Sequence, residues 1–367
     1  MDCTQSALPG NDDYLRRLDA QVEAQRVPVS GAMDLTHRCN LRCGHCYLSE
    51  ADRAGGSNRE ELSTDRWLRI LDAVTEAGCL FLLLSGGEPL LRSDFGVIYR
   101  YARHKGMLVS VFTNGTRMRE PILDLFQDLP PRKVEVSLYG ATAPTYERVT
   151  GVPGSFRRCM DGIEALLARR IPVDLKTLLM TVNRHELAAM RRIAVSLGVG
   201  FRFDAALFPR LNGDRHPLKW RVPPEEAIAV ELADKNVLGQ WRSFYRSMCH
   251  VRIPEALYHC GAGHTTFHID PAGELTPCLM ADSPRYCLAG GTFAEGWKQM
   301  ADLDAREALR EFPCCRCAQR ILCDYCPGLF RLETGAEDIA SGYICAMGGL
   351  RYARITQMTR GEGHEAG

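Results

Sequence analysis

From residue 28 onward the chain alternates apolar, β-branched runs with amphipathic helical patterns six times over, and that alternation leaves few folds open to it. The strand-like runs are residues 29–36 (VSGAMDLT), 79–85 (CLFLLLS), 108–113 (LVSVFT), 133–138 (KVEVSL), 173–180 (VDLKTLLM) and 199–207 (VGFRFDAAL). In the helical pattern between the first two, Ser63 or Thr64 can cap the start and Gly78 can end it. Repeated β–α units imply a parallel sheet with right-handed crossovers. The expected fold class is therefore α/β, a partial (β/α)6 TIM-like barrel over residues 29–207. Functional groups in such a barrel gather on the loops that leave the C-terminal ends of its strands.

The 367 residues exceed what one hydrophobic core usually serves, so a second, smaller unit is expected. The alternation fails after about residue 208. The sequence divides into an N-terminal segment 1–28, the barrel 29–207, a Pro- and Gly-containing linker 208–248, a Cys-rich unit 249–350 and a C-terminal tail 351–367. Lys plus Arg and Asp plus Glu number 45 each. That balance removes the charge footprint of a nucleic-acid or membrane binder, and no segment reads as a signal peptide or a membrane span. A cytoplasmic protein is expected. Sixteen cysteines in such a compartment are poorly explained by disulfides and better by metal ligation.

Three of those cysteines, Cys39, Cys43 and Cys46 in CNLRCGHCYL, lie directly after the first strand-like run, spaced by three and then two residues. A four-iron cluster normally takes four thiolates, so three would leave one iron open. A zinc site completed by His45 or His37 is the alternative on spacing alone. The second run ends in Gly86-Gly87-Glu88-Pro89, where paired glycines allow close approach to the backbone and Glu88 can accept from an amine.

Cys39-x3-Cys43-x2-Cys46, with Tyr47 next to it and the Gly-Gly-Glu-Pro stretch one strand along, resembles the radical S-adenosylmethionine (SAM) superfamily over about residues 29–207. The resemblance implies a [4Fe-4S] cluster on Cys39, Cys43 and Cys46 whose open iron takes the amino and carboxylate groups of SAM. Reductive cleavage would then give a 5′-deoxyadenosyl radical that abstracts hydrogen from a substrate. By matching position, Gly86, Gly87 and Glu88 would hold the methionine amine, Ser137 the ribose and Tyr47 the adenine. Asn114, Gly115 and Lys176, with Asp204, fall where the same cavity is lined. Lys176 also reads as a barrel-interior residue paired with a carboxylate.

Residues 249–345 hold ten more cysteines. Cys260, twelve residues, Gly273, four residues, Cys278, followed by Cys314-x2-Cys317-x5-Cys323-x2-Cys326 and Cys345, resembles the SPASM extension of these enzymes. That likeness implies two auxiliary [4Fe-4S] clusters, one on Cys314, Cys317, Cys323 and Cys345, the other on Cys260, Cys278 and Cys326. Cys249 is the candidate fourth ligand of the latter, with Cys287, Cys315 and an open iron that binds substrate as the alternatives. Cys79 and Cys159 read as buried small hydrophobes.

SPASM-type enzymes mostly act on peptides or proteins. The resemblance thus implies modification of a ribosomally made peptide by crosslinking, epimerisation or a related oxidation, with an electron donor such as flavodoxin or ferredoxin. About 27 residues precede the barrel, too few for a winged-helix recognition domain, so leader recognition would need a separate leader-peptide-binding protein or another surface. Alternatives are a sulfatase-maturase-like reaction, disfavoured by Leu279 where those enzymes place an Asp, and a haem-pathway decarboxylase. A non-catalytic zinc-binding adaptor is the reading from another class. No residue stands out in the sequence as the catalytic acid, base or hydrogen donor.

Overall fold

Six parallel strands run in sequence order across the sheet: β1 (Ser30–Thr36), β2 (Phe81–Gly86), β3 (Leu108–Thr113), β4 (Lys133–Ser137), β5 (Val173–Leu178) and β6 (Gly200–Asp204). Each pairs in parallel with the next, as in Met33 opposite Leu84, Val111 opposite Val134 and Leu175 opposite Phe201. The structure is a computed structural model, and it describes residues 11–56, 60–251, 256–308 and 311–362. Cys3 and the last five residues lie outside them.

Alternation along the strands sends Met33 and Leu35, Leu82 and Leu84, Val109 and Val111, and Val134 and Val136 into the core. The crossover helices return apolar faces to it. In Thr64–Glu76, Trp67, Ile70, Leu71 and Val74 recur at three- and four-residue spacing and are buried. Ser63, not Thr64, is the cap, its hydroxyl accepting from Arg66 N at 3.4 Å. Each large apolar side chain so buried contributes roughly 1.5–3 kcal/mol of transfer free energy. Cys79 and Cys159 belong to this core, at 4% and 0% exposure.

The Cys-rich region is joined to the barrel through the sheet. Strand β7 (Thr266–Ile269) pairs in parallel with β1, placing His268 opposite Ala32. Strands β8 (Glu274–Thr276) and β9 (Tyr286–Cys287) follow antiparallel, making nine strands in one sheet among the described residues. The β7–β8 hairpin turns on DPAG: Asp270 Oδ1 accepts from Ala272 N and Glu274 N, each at 2.9 Å, and Gly273 takes φ +84°.

Two boundaries expected from the sequence cross packed elements. Residues 208–248, expected as a linker, contain helices Pro224–Ala233 and Lys235–Met248. The prolines that read as a loop signal stand at a helix start, where the missing N–H leaves no bond unmade. Asp234 caps the second helix, accepting from Asn236 N at 2.9 Å. The expected tail from 351 is likewise the interior of helix Gly342–Glu362.

Arg351 is 1% exposed and joins three parts of the chain. It bonds Glu231 at 2.7 and 2.8 Å, Asp324 at 2.9 Å and Leu322 O at 2.7 Å. Arg351→Ala would strand Glu231 and Asp324 without their cation, and breaking such a pair from one side is costly. We expect a loss of about 3 kcal/mol, read as a lower denaturation midpoint at unchanged m-value. A midpoint equal to wild type would show that the two carboxylates do not need the arginine.

Candidate active site

The three-cysteine loop leaves the C-terminal end of β1 and is tied down on every side. Gly87 N donates to Thr36 O at 2.7 Å and Glu88 N to Arg38 O at 2.9 Å, binding the β2 exit to the loop's first residues. Farther along, Arg42 N donates to Thr150 O at 2.8 Å, Gly44 N to Val149 O at 3.2 Å and Leu211 N to Tyr47 O at 2.9 Å. Trp220 covers Gly44 so closely that a Cβ there would lie 2.7 Å from its ring.

The glycine pair is required by the backbone itself. A Cβ on Gly86 would lie 2.2 Å from Thr36 O, and one on Gly87 2.3 Å from His37 O; Gly86 also sits at φ +130°. Reading these glycines only as room for a ligand misses that they make room for the cysteine loop.

The thiols of Cys39, Cys43 and Cys46 act on one another electrostatically and are largely withdrawn from water. Burial, with the neighbouring Glu88 and Cys46, pushes Cys39 up to about 12, and Cys43 and Cys46 are raised chiefly by burial. Thiolates at this place therefore need a bound cation to form.

A cavity of about 280 Å³ opens above the loop. Around it stand the three cysteines, Tyr47, Gly86, Gly87, Asn114, Ser137 and Lys176, so nearly all the residues expected to meet SAM come together. Asp204 also lines it.

Glu88 and Gly115 do not line it. The Glu88 side chain is fully buried and accepts from Thr113 Oγ1 at 2.8 and 3.0 Å, Asn114 N at 2.7 Å and Leu90 N at 3.2 Å. These bonds brace the end of β2 against the end of β3. Burial raises the Glu88 carboxyl to about 7 against the pull of these donors. Asn114 is partly engaged as well, its Nδ2 donating to Asn40 Oδ1 at 3.0 Å.

Lys176 lies on β5 with its Nζ over the Phe112 ring, and burial pulls its amine well below the ordinary lysine range. Glu135, the carboxylate nearest in effect, bonds Arg202 Nε at 3.1 Å. Tyr47 directs its hydroxyl toward Asp34 Oδ2 and Gly86 O, both at 3.4 Å, and stacks on Phe208 with ring centroids 6.4 Å apart.

Sequence reasoning missed several members of the wall. His45, weighed only as a zinc ligand, is buried with its Nδ1 unpartnered and its ring 4.5 Å from Tyr139; burial and Arg53 lower it to about 3. Tyr139, Arg202 and Phe208 also line the cavity. Arg202 alternates with Phe201 and Phe203 on β6, a pattern that signals one face of a strand without saying which face meets the cavity.

In the Cys-rich region, Cys314, Cys317, Cys323 and Cys345 border one small cavity of about 20 Å³, in the grouping implied by the resemblance. Gly348 admits Cys323, since a Cβ there would lie 2.9 Å from its Sγ. Cys260, Cys278 and Cys326 form a second group whose charges act on Cys326 together. The Sγ atoms of Cys278 and Cys326 accept from Ala281 N at 3.3 Å and Leu329 N at 3.4 Å.

Cys249 caps helix Lys235–Met248 as an exposed residue, its Sγ donating to Arg246 O at 3.6 Å. Among the described residues no three His, Cys, Asp or Glu side chains converge on a single ion. A four-iron cluster assigns one cysteine to each iron, and three thiols facing a cavity fit one with an open position.

Residues 33–194 match the family model described as the Radical SAM superfamily. An AdoMet-dependent heme synthase of Methanosarcina barkeri is 34% identical over 183 residues, 50% of this chain, which spans only about half, 52%, of that relative. PqqA peptide cyclase of Xanthomonas oryzae pv. oryzae is 28% identical over 269 residues, covering 70% of this chain and 69% of the relative. The antilisterial bacteriocin subtilosin biosynthesis protein AlbA of Bacillus subtilis is 26% identical over 304 residues, 82% of this chain and 65% of its own. Among solved structures, Streptococcus suis SuiB bound to precursor peptide SuiA has a TM-score of 0.70 at 14% identity over 94% of this chain and 83% of that one. Native anSMEcpe with bound AdoMet and Cp18Cys peptide has 0.66 at 15% over 90% and 99%. The structural likenesses establish the fold.

Glu88→Gln tests the brace, because an amide would turn an N–H toward donors already pointing at that site. A cost of about 1–3 kcal/mol is expected, seen in thermal or chemical unfolding. Unchanged stability would mean that the three donors find other acceptors.

Proposed function

We propose that this chain, which carries a radical SAM domain over residues 33–194 and so belongs to that superfamily, modifies a ribosomally made peptide. The observation that carries the reading is the joining of the three-thiol loop, the glycine pair and the polar ends of β4 to β6 around one cavity. When bound, a [4Fe-4S] cluster on Cys39, Cys43 and Cys46, with SAM at its open iron, supplies a hydrogen-abstracting 5′-deoxyadenosyl radical.

The chain's own residues bind, orient and enclose. The Gly86 and Gly87 backbone, Asn114, Ser137 and Tyr47 hold SAM, while Glu88 acts from behind by fixing the two strand ends. Phe112, Tyr139 and Phe208 keep water from the radical. Lys176, Arg202 and Asp204 form the polar wall on the side toward the substrate. Cys314, Cys317, Cys323 and Cys345 would hold one auxiliary [4Fe-4S] cluster, and Cys260, Cys278 and Cys326 another whose fourth position falls to Cys249, Cys287, Cys315 or a substrate group.

Peptide substrates are favoured over a tetrapyrrole by the extent of the matches. Those of 269 and 304 residues run well beyond the matched domain, and the proteins concerned are a peptide cyclase and a bacteriocin biosynthesis protein. The haem synthase match is 183 residues long. A flavodoxin or ferredoxin as electron donor, a separate leader-binding protein and a cytoplasmic location complete the proposal. Among the described residues no helix is long and apolar enough to cross a membrane.

Anaerobically reconstituted protein given SAM and dithionite should release 5′-deoxyadenosine. Cys43→Ala should abolish that release, whereas Cys317→Ala should keep part of it and lose stability. Full activity in Cys43→Ala would refute the loop assignment. Co-expression with short peptides encoded beside the gene, read by mass and chirality analysis, tests the substrate class. Turnover of a porphyrin with every peptide left unchanged would contradict it.

A further inference from the structure

The three-thiol loop closes around Arg53. This residue ends the short helix Glu50–Arg53 and is 7% exposed. Its carbonyl accepts from Cys39 N at 3.1 Å, and its guanidinium donates to Cys43 O at 3.2 Å and Ser49 O at 3.4 Å. The loop's first and second cysteines are therefore both held by one residue that follows them in sequence.

Its partners are all carbonyls; among the described residues no carboxylate pairs with it. Other buried arginines nearby are neutralised: Arg92 lies 2.7 Å from Asp94, and Arg210 lies 2.9 Å from Asp214. A guanidinium withdrawn from water and given only neutral acceptors is unfavourable unless an opposite charge completes its surroundings. The guanidinium is held against the Cys43 carbonyl and the residue's own carbonyl against Cys39 N, so the charge that would complete these surroundings is that of the thiolate site the loop forms.

We propose that Arg53 is the fixed counter-charge of the three-thiolate site, closing the loop through its carbonyl contacts and favouring the more negative, reduced state of a cluster held there. The inference rests on reading the loop as an iron–sulfur site. Reduction adds one electron from an external low-potential donor and hence one negative charge. A neighbouring cation stabilises that charge by a Coulomb energy that is large where water is excluded.

Removing the cation should therefore lower the midpoint potential. In Arg53→Gln the ratio of reduced to oxidised loop cluster at a fixed potential should fall about tenfold, equivalent to 59 mV for a one-electron couple. Arg53→Lys, which keeps the charge and loses the planar fork, should stay near wild type.

The experiment is a dithionite titration of the reconstituted full-length protein, following the paramagnetic signal that changes on adding SAM, with iron and sulfide counted in each variant. A lowered potential in Arg53→Gln with a wild-type value in Arg53→Lys supports the proposal. Equal shifts in both variants at full iron content, or none in either, overturn it, because the charge would then not be what matters. If Arg53→Gln fails to load, Arg53→Lys decides: loading at the wild-type potential supports the counter-charge, and loss of loop iron there too leaves a purely structural role and overturns it. Wild-type protein whose iron gives no SAM-responsive signal would overturn the site reading itself, a failure visible before any variant is compared.

Discussion

The arrangement depends on one close approach of backbone to backbone. Where β1 and β2 end, Gly86 and Gly87 pass so near Thr36 and His37 that no side chain fits, and the bonds from Gly87 N to Thr36 O and Glu88 N to Arg38 O lock the two exits together. The cysteine loop and the glycine cradle are thereby held as one rigid corner. Glu88 extends it to β3 through Thr113 and Asn114, so three successive strand ends face a common cavity. Placing a reactive site on braced strand ends fixes its geometry before any ligand arrives.

The Cys-rich region is continuous with this corner. Its first strand, β7, extends the sheet beside β1, and His268 of that strand reaches within 3.3 Å of Asp34, toward which Tyr47 directs its hydroxyl. On the other side Ala206 and Phe208 line the cavity and, like Cys278 and Cys326, pack against the apolar cluster that contains Leu257, Ala281 and Phe330. The two halves therefore share a wall. Helix Gly342–Glu362 closes the assembly, carrying Cys345 near its start and Arg351 farther along.

Much of this was legible in the sequence because the signals were periodic or tightly spaced. All six barrel strands lie where alternating apolar runs place them, and the residues of the C-x3-C-x2-C and Gly-Gly stretches share the cavity. What escaped was set by tertiary packing. That Glu88 also takes donors from β3 carries no local signal, since Thr113 and Asn114 lie some 25 residues away in sequence. The prolines near 223 read equally as a linker or a helix start, and only burial against Gly342–Glu362 separates the two. Strands β7 and β8 are three or four residues long, too short for a period to register. Arg53 carries no local signal, because its meaning comes from having no carboxylate partner among the described residues.

The central claim is that Cys39, Cys43 and Cys46 hold a cluster with one iron open to SAM. Electron paramagnetic resonance of the reduced, reconstituted protein with and without SAM tests it most directly. The account predicts a cluster signal whose g-values shift when SAM is added, and loss of that SAM response in a Cys39, Cys43 and Cys46 triple alanine variant with the other signals retained. A wild-type spectrum unmoved by SAM at full iron loading, or a response that survives the triple substitution, would contradict it.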